Sequence, residues 1–217
     1  MAQKIKKLMP RVVFKRLENL YARMTESYQA ISREMGFSCS GCPDNCCTSY
    51  FQHHTRVEWA YFMKGLERAP AETREKIYAR AEKYVQASRW MLDRGQKPDL
   101  MCPVNENGLC LLYHSRLMIC RLHGVPTLHI RPDGQKLEFP GCFRAREKYQ
   151  HIHDCPRLDR TEFYRELAGL EQAFVGPAIK NMPRVNLTLA EMIVQGQKQA
   201  SHPGAPGTRP AGSNMCF

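Results

Sequence analysis

Four cysteines fall within nine residues, in the order Cys39-Ser-Gly-Cys42-Pro-Asp-Asn-Cys46-Cys47. Two cysteines with two residues between them wrap a tight turn around one ion; Gly41 lets the backbone come close and Pro43 fixes the exit. Cys46 and Cys47 are adjacent, so they share one centre only if the loop bends there, and otherwise serve different centres. A second run follows: Cys102-Pro103, then Gly108-Leu109-Cys110, then Cys120-Arg121, with Cys142 and Cys155 further on. Four thiolates close a zinc site or hold one iron–sulfur cube, and eight suit two such centres. A buried thiol also serves as a small hydrophobe, but the polar, Gly/Pro-containing first loop has no apolar face to bury.

The compartment supports metal over disulfides. The chain has ten cysteines, and the lysine-rich stretch Met1–Pro10 has no apolar run behind it, so no signal peptide is expected. No run of about 18 apolar residues occurs, so no membrane span is expected. A cytoplasmic, reducing setting disfavours stable disulfides and leaves metal binding as the better reading of the cysteines. The formal net charge is +11, spread along the chain. That balance suits solvated helix faces, an acidic partner or nucleic acid, or arginines offsetting the negative charge of a thiolate-bound centre. Arg56, Arg116 and Arg121 are candidates for that last role.

His53, His54, His114 and His123 lie near the cysteines in sequence, and an imidazole there replaces a thiolate or hydrogen-bonds to a sulfur. With thiols in surplus, a capping or surface role is expected for them. His151 and His153 have a spacing that does not suit one helical face. No phosphate-cradling glycine motif occurs. The cysteine spacings are reversed from those of a radical enzyme using S-adenosylmethionine, and no alternating βα elements follow.

The cysteines need elements to hold them. Apolar residues Ile5, Leu8, Val12, Leu17, Leu20, Met24, Tyr28 and Ile31 predict a helix over 4–34, with Pro10 marking its regular start and Gly36 its end. Ser38–Tyr50 is a cysteine-rich loop. A capping-box pattern at Thr55 and Glu58 opens a helix to about Arg68, and residues 71–93 form another, ended by Gly95 and Pro98. After the second cysteine segment (99–124), Thr127–Ile130 and Lys136–Phe139 flank Arg-Pro-Asp-Gly, a hairpin signal. Helices at about 160–174 and 188–199 follow, the latter opened by a second capping box, Thr188 and Glu191. The expected fold is therefore mainly α with a small β-hairpin, one helical domain over 1–200 organised around a cysteine-ligated metal centre. A Pro/Gly/Ser-rich tail, 201–217, is expected to be disordered.

The succession Cys-x-x-Cys-x-x-x-Cys-Cys, Cys-Pro, Gly-Leu-Cys-Leu-Leu-Tyr-His-Ser-Arg and Cys-Arg resembles a widespread bacterial family of zinc- or iron-chelating cysteine-cluster proteins, over roughly residues 36–145. Family members usually have Cys-x-x-Cys-x-x-Cys-Cys and an Arg-Pro before the Cys-Arg pair; this chain carries one more residue before Cys46, and Arg116-Leu117 in place of Arg-Pro. The resemblance implies Cys39, Cys42, Cys46, Cys47, Cys102, Cys110 and Cys120 as ligands, with Cys142 as the eighth. It leaves zinc and iron–sulfur both open. A flagellin lysine methylase is similar to the family in its cysteine cluster, but cysteines alone do not transfer an activity. Three functions follow as expectations: a metal-binding protein, an iron–sulfur redox or protein-modifying enzyme, or a basic module binding nucleic acid with a structural metal.

Overall fold

The computed structural model describes residues 6–38, 46–149, 151 and 154–201, and the chain is mainly helical with small sheets. The first helix, α1, spans Pro10–Glu34. It starts later than the periodicity alone predicts, because Pro10 has its φ preset and no amide to satisfy, which makes it a natural first residue. The amides of Val12 and Val13 then turn back to the carbonyl of Met9. Val13, Leu17, Leu20, Tyr21 and Met24 form its buried stripe. Gly36 ends the helix at φ +57°.

Next come α2 (Arg56–Glu67) and α3 (Ala71–Leu92). The expected capping box at Thr55 is not formed in the usual way. The Thr55 hydroxyl donates to Glu58 Oε2 at 2.8 Å instead of taking a backbone amide. The uncapped first turn of α2 is served from elsewhere: the Val57 amide donates to Glu171 Oε2 at 2.8 Å. The later box is complete. The Thr188 amide donates to Glu191 Oε2 at 2.8 Å and the Glu191 amide returns to Thr188 Oγ1 at 3.2 Å.

Between α3 and the hairpin lie two features the sequence reading left out. A short ladder pairs β1 (Asn105–Glu106) with β2 (Leu109–Cys110), and a five-residue helix, α4, spans Met118–Leu122. The predicted hairpin is present with the predicted bounds: β3 (Thr127–Ile130) is antiparallel to β4 (Lys136–Phe139). It is extended by β5 (Leu158–Asp159), which joins β3 in parallel. The helices α5 (Phe143–Tyr149), α6 (Thr161–Val175) and α7 (Leu189–Ser201) complete the order. The tail beyond Ser201, including Cys216, lies outside the described residues.

The apolar interior forms two clusters. Val13, Leu17, Leu20, Met24, Leu122, Leu158, Leu167 and Leu170 make one, where α1 packs on α4 and α6. Ile77, Ala81, Val85, Met192 and Ile193 anchor the other, where α3 packs on α7. Helix α2 serves both, sending Val57 to the first and Phe62 and Leu66 to the second. Successive residues Leu117 and Met118 likewise enter opposite clusters. The second cysteine segment is therefore pinned at the seam between them.

Candidate metal centre

Cys46 and Cys47 open a short 3-10 turn, Cys46–Thr48. Cys102 comes from 55 positions further along, yet its amide donates to the carbonyl of Cys47 at 3.0 Å. That bond joins the two cysteine runs. From Cys102 the chain turns sharply, Asn105 N donating to Cys102 O at 2.9 Å, and enters β1. The Asn107-Gly108 turn, with φ of +53° and +84°, reverses it into β2, which sets Cys110 opposite Asn105. Cys120 stands in the middle of α4.

The four sulfurs of Cys47, Cys102, Cys110 and Cys120 lie close enough that every pair among them interacts electrostatically. Burial pushes the Cys102 thiol well up, the neighbouring sulfurs of Cys120, Cys47 and Cys110 push it further, and an amide bond from Val104 opposes them. Burial raises Cys120 to about 12. Burial raises Cys110 as well, against the fields of Arg116 and Arg121. Cys47 goes the other way, to about 6: the Cys46 thiol beside it is the largest influence, and Asn105 and Arg116 also favour the thiolate. Asn105 turns its amide toward Cys47 without making a hydrogen bond of normal geometry, and its buried Nδ2 has no other partner.

Arg116 and Arg121 lie within electrostatic reach of the Cys110 thiol. Arg116 lies over the Tyr113 ring at 3.7 Å from its centroid, and Arg121 over the Tyr21 ring at 4.1 Å. Arg121 also donates to the carbonyls of Arg116 (2.8 Å) and His114 (2.6 Å), which ties the two cations into one edge. Arg56 does not join them. Its guanidinium donates to the Pro183 carbonyl and sits 3.7 Å from Glu171, so its role is structural.

The remaining candidates separate. Cys39 and Cys42 lie outside the described residues. Cys142 packs against the α1–α6 cluster, where its sulfur faces the Ala145 amide at 3.5 Å, whereas Cys102 and Cys110 pack against the α3–α7 cluster. Cys155 is buried in the same cluster, its thiol directed at the Pro156 carbonyl. Of the histidines, His53 is buried with its backbone bridged to Leu187, His54 faces the Val185 carbonyl at 3.3 Å, and His123 packs edge-on to Phe51.

One positioning residue was hidden. Glu58, read from the sequence only as half of a capping box, is buried and accepts from the Met118 amide at 2.7 Å and from the Tyr21 hydroxyl at 2.9 Å. It caps the first turn of α4, the helix that carries Cys120, and also fixes the ring beneath Arg121. No local pattern could have shown a contact 60 positions long.

The residue types suit a thiolate-held group: four thiols within one another's electrostatic reach, one inclined to ionise, two guanidinium groups acting on Cys110 and an orphaned amide donor at Asn105. The spacing does not yet close a coordination shell. Among the described residues, no three Cys, His, Asp or Glu side chains form a ready-made metal site. Comparison with known proteins matched no family model, no curated protein and no solved structure.

Proposed function

We propose that this chain binds zinc or an iron–sulfur cluster through Cys47, Cys102, Cys110 and Cys120. Cys46, Cys39 and Cys42 enter the ligand set on sequence grounds. The observation that carries this reading is that two distant cysteine runs are joined by the Cys102 amide donating to the Cys47 carbonyl at 3.0 Å, with the thiols of Cys47, Cys102, Cys110 and Cys120 within one another's electrostatic reach. Three of those thiols are raised by burial and therefore neutral at pH 7 without a metal. A bound cation supplies the charge that turns such thiols into thiolates, with release of protons. Arg116 and Arg121 then offset the negative charge that accumulates at the centre, and the partnerless Asn105 Nδ2 is available to donate to sulfur. The test is bound metal per chain in Cys47→Ser, Cys102→Ser, Cys110→Ser and Cys120→Ser, with Cys155→Ser as control. Loss of metal in the four and retention in the control is the expected result; unchanged stoichiometry throughout overturns the proposal.

A second reading, an enzyme using an iron–sulfur centre, is favoured by one feature. An open depression of about 400 Å³ is bounded by Glu18, Tyr21, Tyr61, His114 and Arg121, and Arg121 is also within electrostatic reach of Cys110. Such a hollow gives a substrate a place beside the centre. Iron with acid-labile sulfide favours this reading, and colourless zinc protein favours a structural or metal-handling role.

A further inference from the structure

Away from the cysteines, the segment leading into α1 crosses α6. The Leu8 amide donates to the Ala173 carbonyl at 2.8 Å, which fixes the backbone beside Lys7. Lys7 lies against Gly176, whose φ is +77°; a Cβ there would fall 2.7 Å from Lys7 Cβ, so only bare backbone lets the lysine stem pass. The lysine is thus placed by the fold and does not hang free. Beside it opens a hollow of about 300 Å³ with Pro10, Phe174, Val175, Ala178 and Met182 as apolar walls and Lys7 and Arg56 as its cations. The exposed side chains of Met9 and Met182 add apolar surface in the same two stretches of chain. Arg56 is already engaged by Glu171 and the Pro183 carbonyl. Among the described residues Lys7 has no carboxylate partner.

An apolar hollow lined along one side by the stem of an exposed lysine with no carboxylate partner among the described residues is complementary to a molecule with an apolar chain and an anionic head. The volume is at the small end of ligand pockets, which run from about 300 to 1,000 Å³, and it suits one short chain better than a two-chain lipid. We propose that the hollow between the Lys7 segment, α6 and residues 176–182 binds a single-chain amphiphilic anion. The chain lies along Phe174 and Met182, and the head pairs with Lys7.

The experiment is a calorimetric titration of the full chain with decanoate below its micellar concentration, alongside decanol and vesicles of phosphatidylglycerol. Saturable binding of one decanoate is expected. Decanol and the Lys7→Gln variant should each weaken binding by about tenfold, as expected for loss of one charge-assisted contact. Ala178→Phe, which fills the wall, should abolish it. Should that variant misfold by circular dichroism, Lys7→Gln decides alone, because Lys7 is exposed and its loss leaves the core intact. Equal affinity for decanol and decanoate overturns the proposal. So does adsorption to vesicles with no saturable decanoate binding, which would assign these cations to lipid headgroups.

Discussion

The amide of Cys102 donates to the carbonyl of Cys47 at 3.0 Å. One backbone bond thereby fixes the start of the second cysteine run against the end of the first, before any sulfur contact is considered. Metal at such a joint would add a tie between segments that otherwise meet through this bond and through apolar packing at the seam. Removing it by chelation is expected to leave the far-ultraviolet helical signal largely intact, because α1, α3, α6 and α7 bury their own apolar faces. Limited proteolysis should show new cleavage within 99–124 after chelation. Collapse of the helical signal would mean that the centre nucleates the whole fold.

Glu58→Ala tests the positioning of Cys120. The change leaves the Met118 amide and the Tyr21 hydroxyl buried without an acceptor, a cost of about 2–3 kcal/mol in denaturant unfolding. It should also weaken metal retention without removing a ligand. Glu58→Gln keeps one carbonyl acceptor for the α4 cap and should recover part of both. A variant that loses stability but holds metal with wild-type affinity would restrict Glu58 to a purely structural part.

The two capping boxes should respond differently to loss of their threonines. At Thr188 the hydroxyl takes the Glu191 amide, so Thr188→Ala should cost about 1 kcal/mol. At Thr55 the hydroxyl serves only the Glu58 carboxylate, and the α2 amide is held by Glu171. Thr55→Ala should therefore cost less, and Glu171→Ala more, when the three are compared by urea unfolding.

His53 gives the fold a pH dependence of defined sign. Burial is the main cause, with His54 adding to it, of a shift from the ordinary 6.5 to about 4. The folded state thus disfavours the imidazolium, and its stability is fully present above about pH 6.5 and falls as pH drops toward 4. The loss should reach on the order of 3 kcal/mol. Unfolding midpoints measured between pH 7 and 4 should show this slope, and His53→Gln should flatten it. A wild-type profile without the slope would contradict neutral burial of His53.

How much of this was legible in the sequence varied with how local its causes are. The β3–β4 register was readable because Pro132-Asp133-Gly134 turns a chain whose flanking residues already favour strand. The β1–β2 ladder carries as strong a local signal, Asn107-Gly108, but its strands have two residues each, too few to show alternation. β5 exists only by pairing with distant β3, and α4 depends on a cap lent by Glu58, so neither has a pattern of its own. At the candidate centre, cysteine density predicted that the two runs meet, as the Cys102–Cys47 backbone bond shows, and charge singled out Arg116 and Arg121, which both act on the Cys110 thiol. The separation of Cys142 was not readable, because its placement depends on packing around the Gly124 carbonyl, to which its amide donates at 2.9 Å.

The most direct test of the account is elemental analysis, with acid-labile sulfide, of protein purified without oxygen, together with a count of thiols open to a colorimetric reagent before and after chelation. Zinc or iron near a whole-number ratio to protein is expected. Cys47, Cys102, Cys110 and Cys120 should be protected until chelator is added. Protein free of both metals, whose converging thiols react equally with and without chelator, would contradict a metal centre and leave these cysteines as packed thiols at the seam between the two apolar clusters.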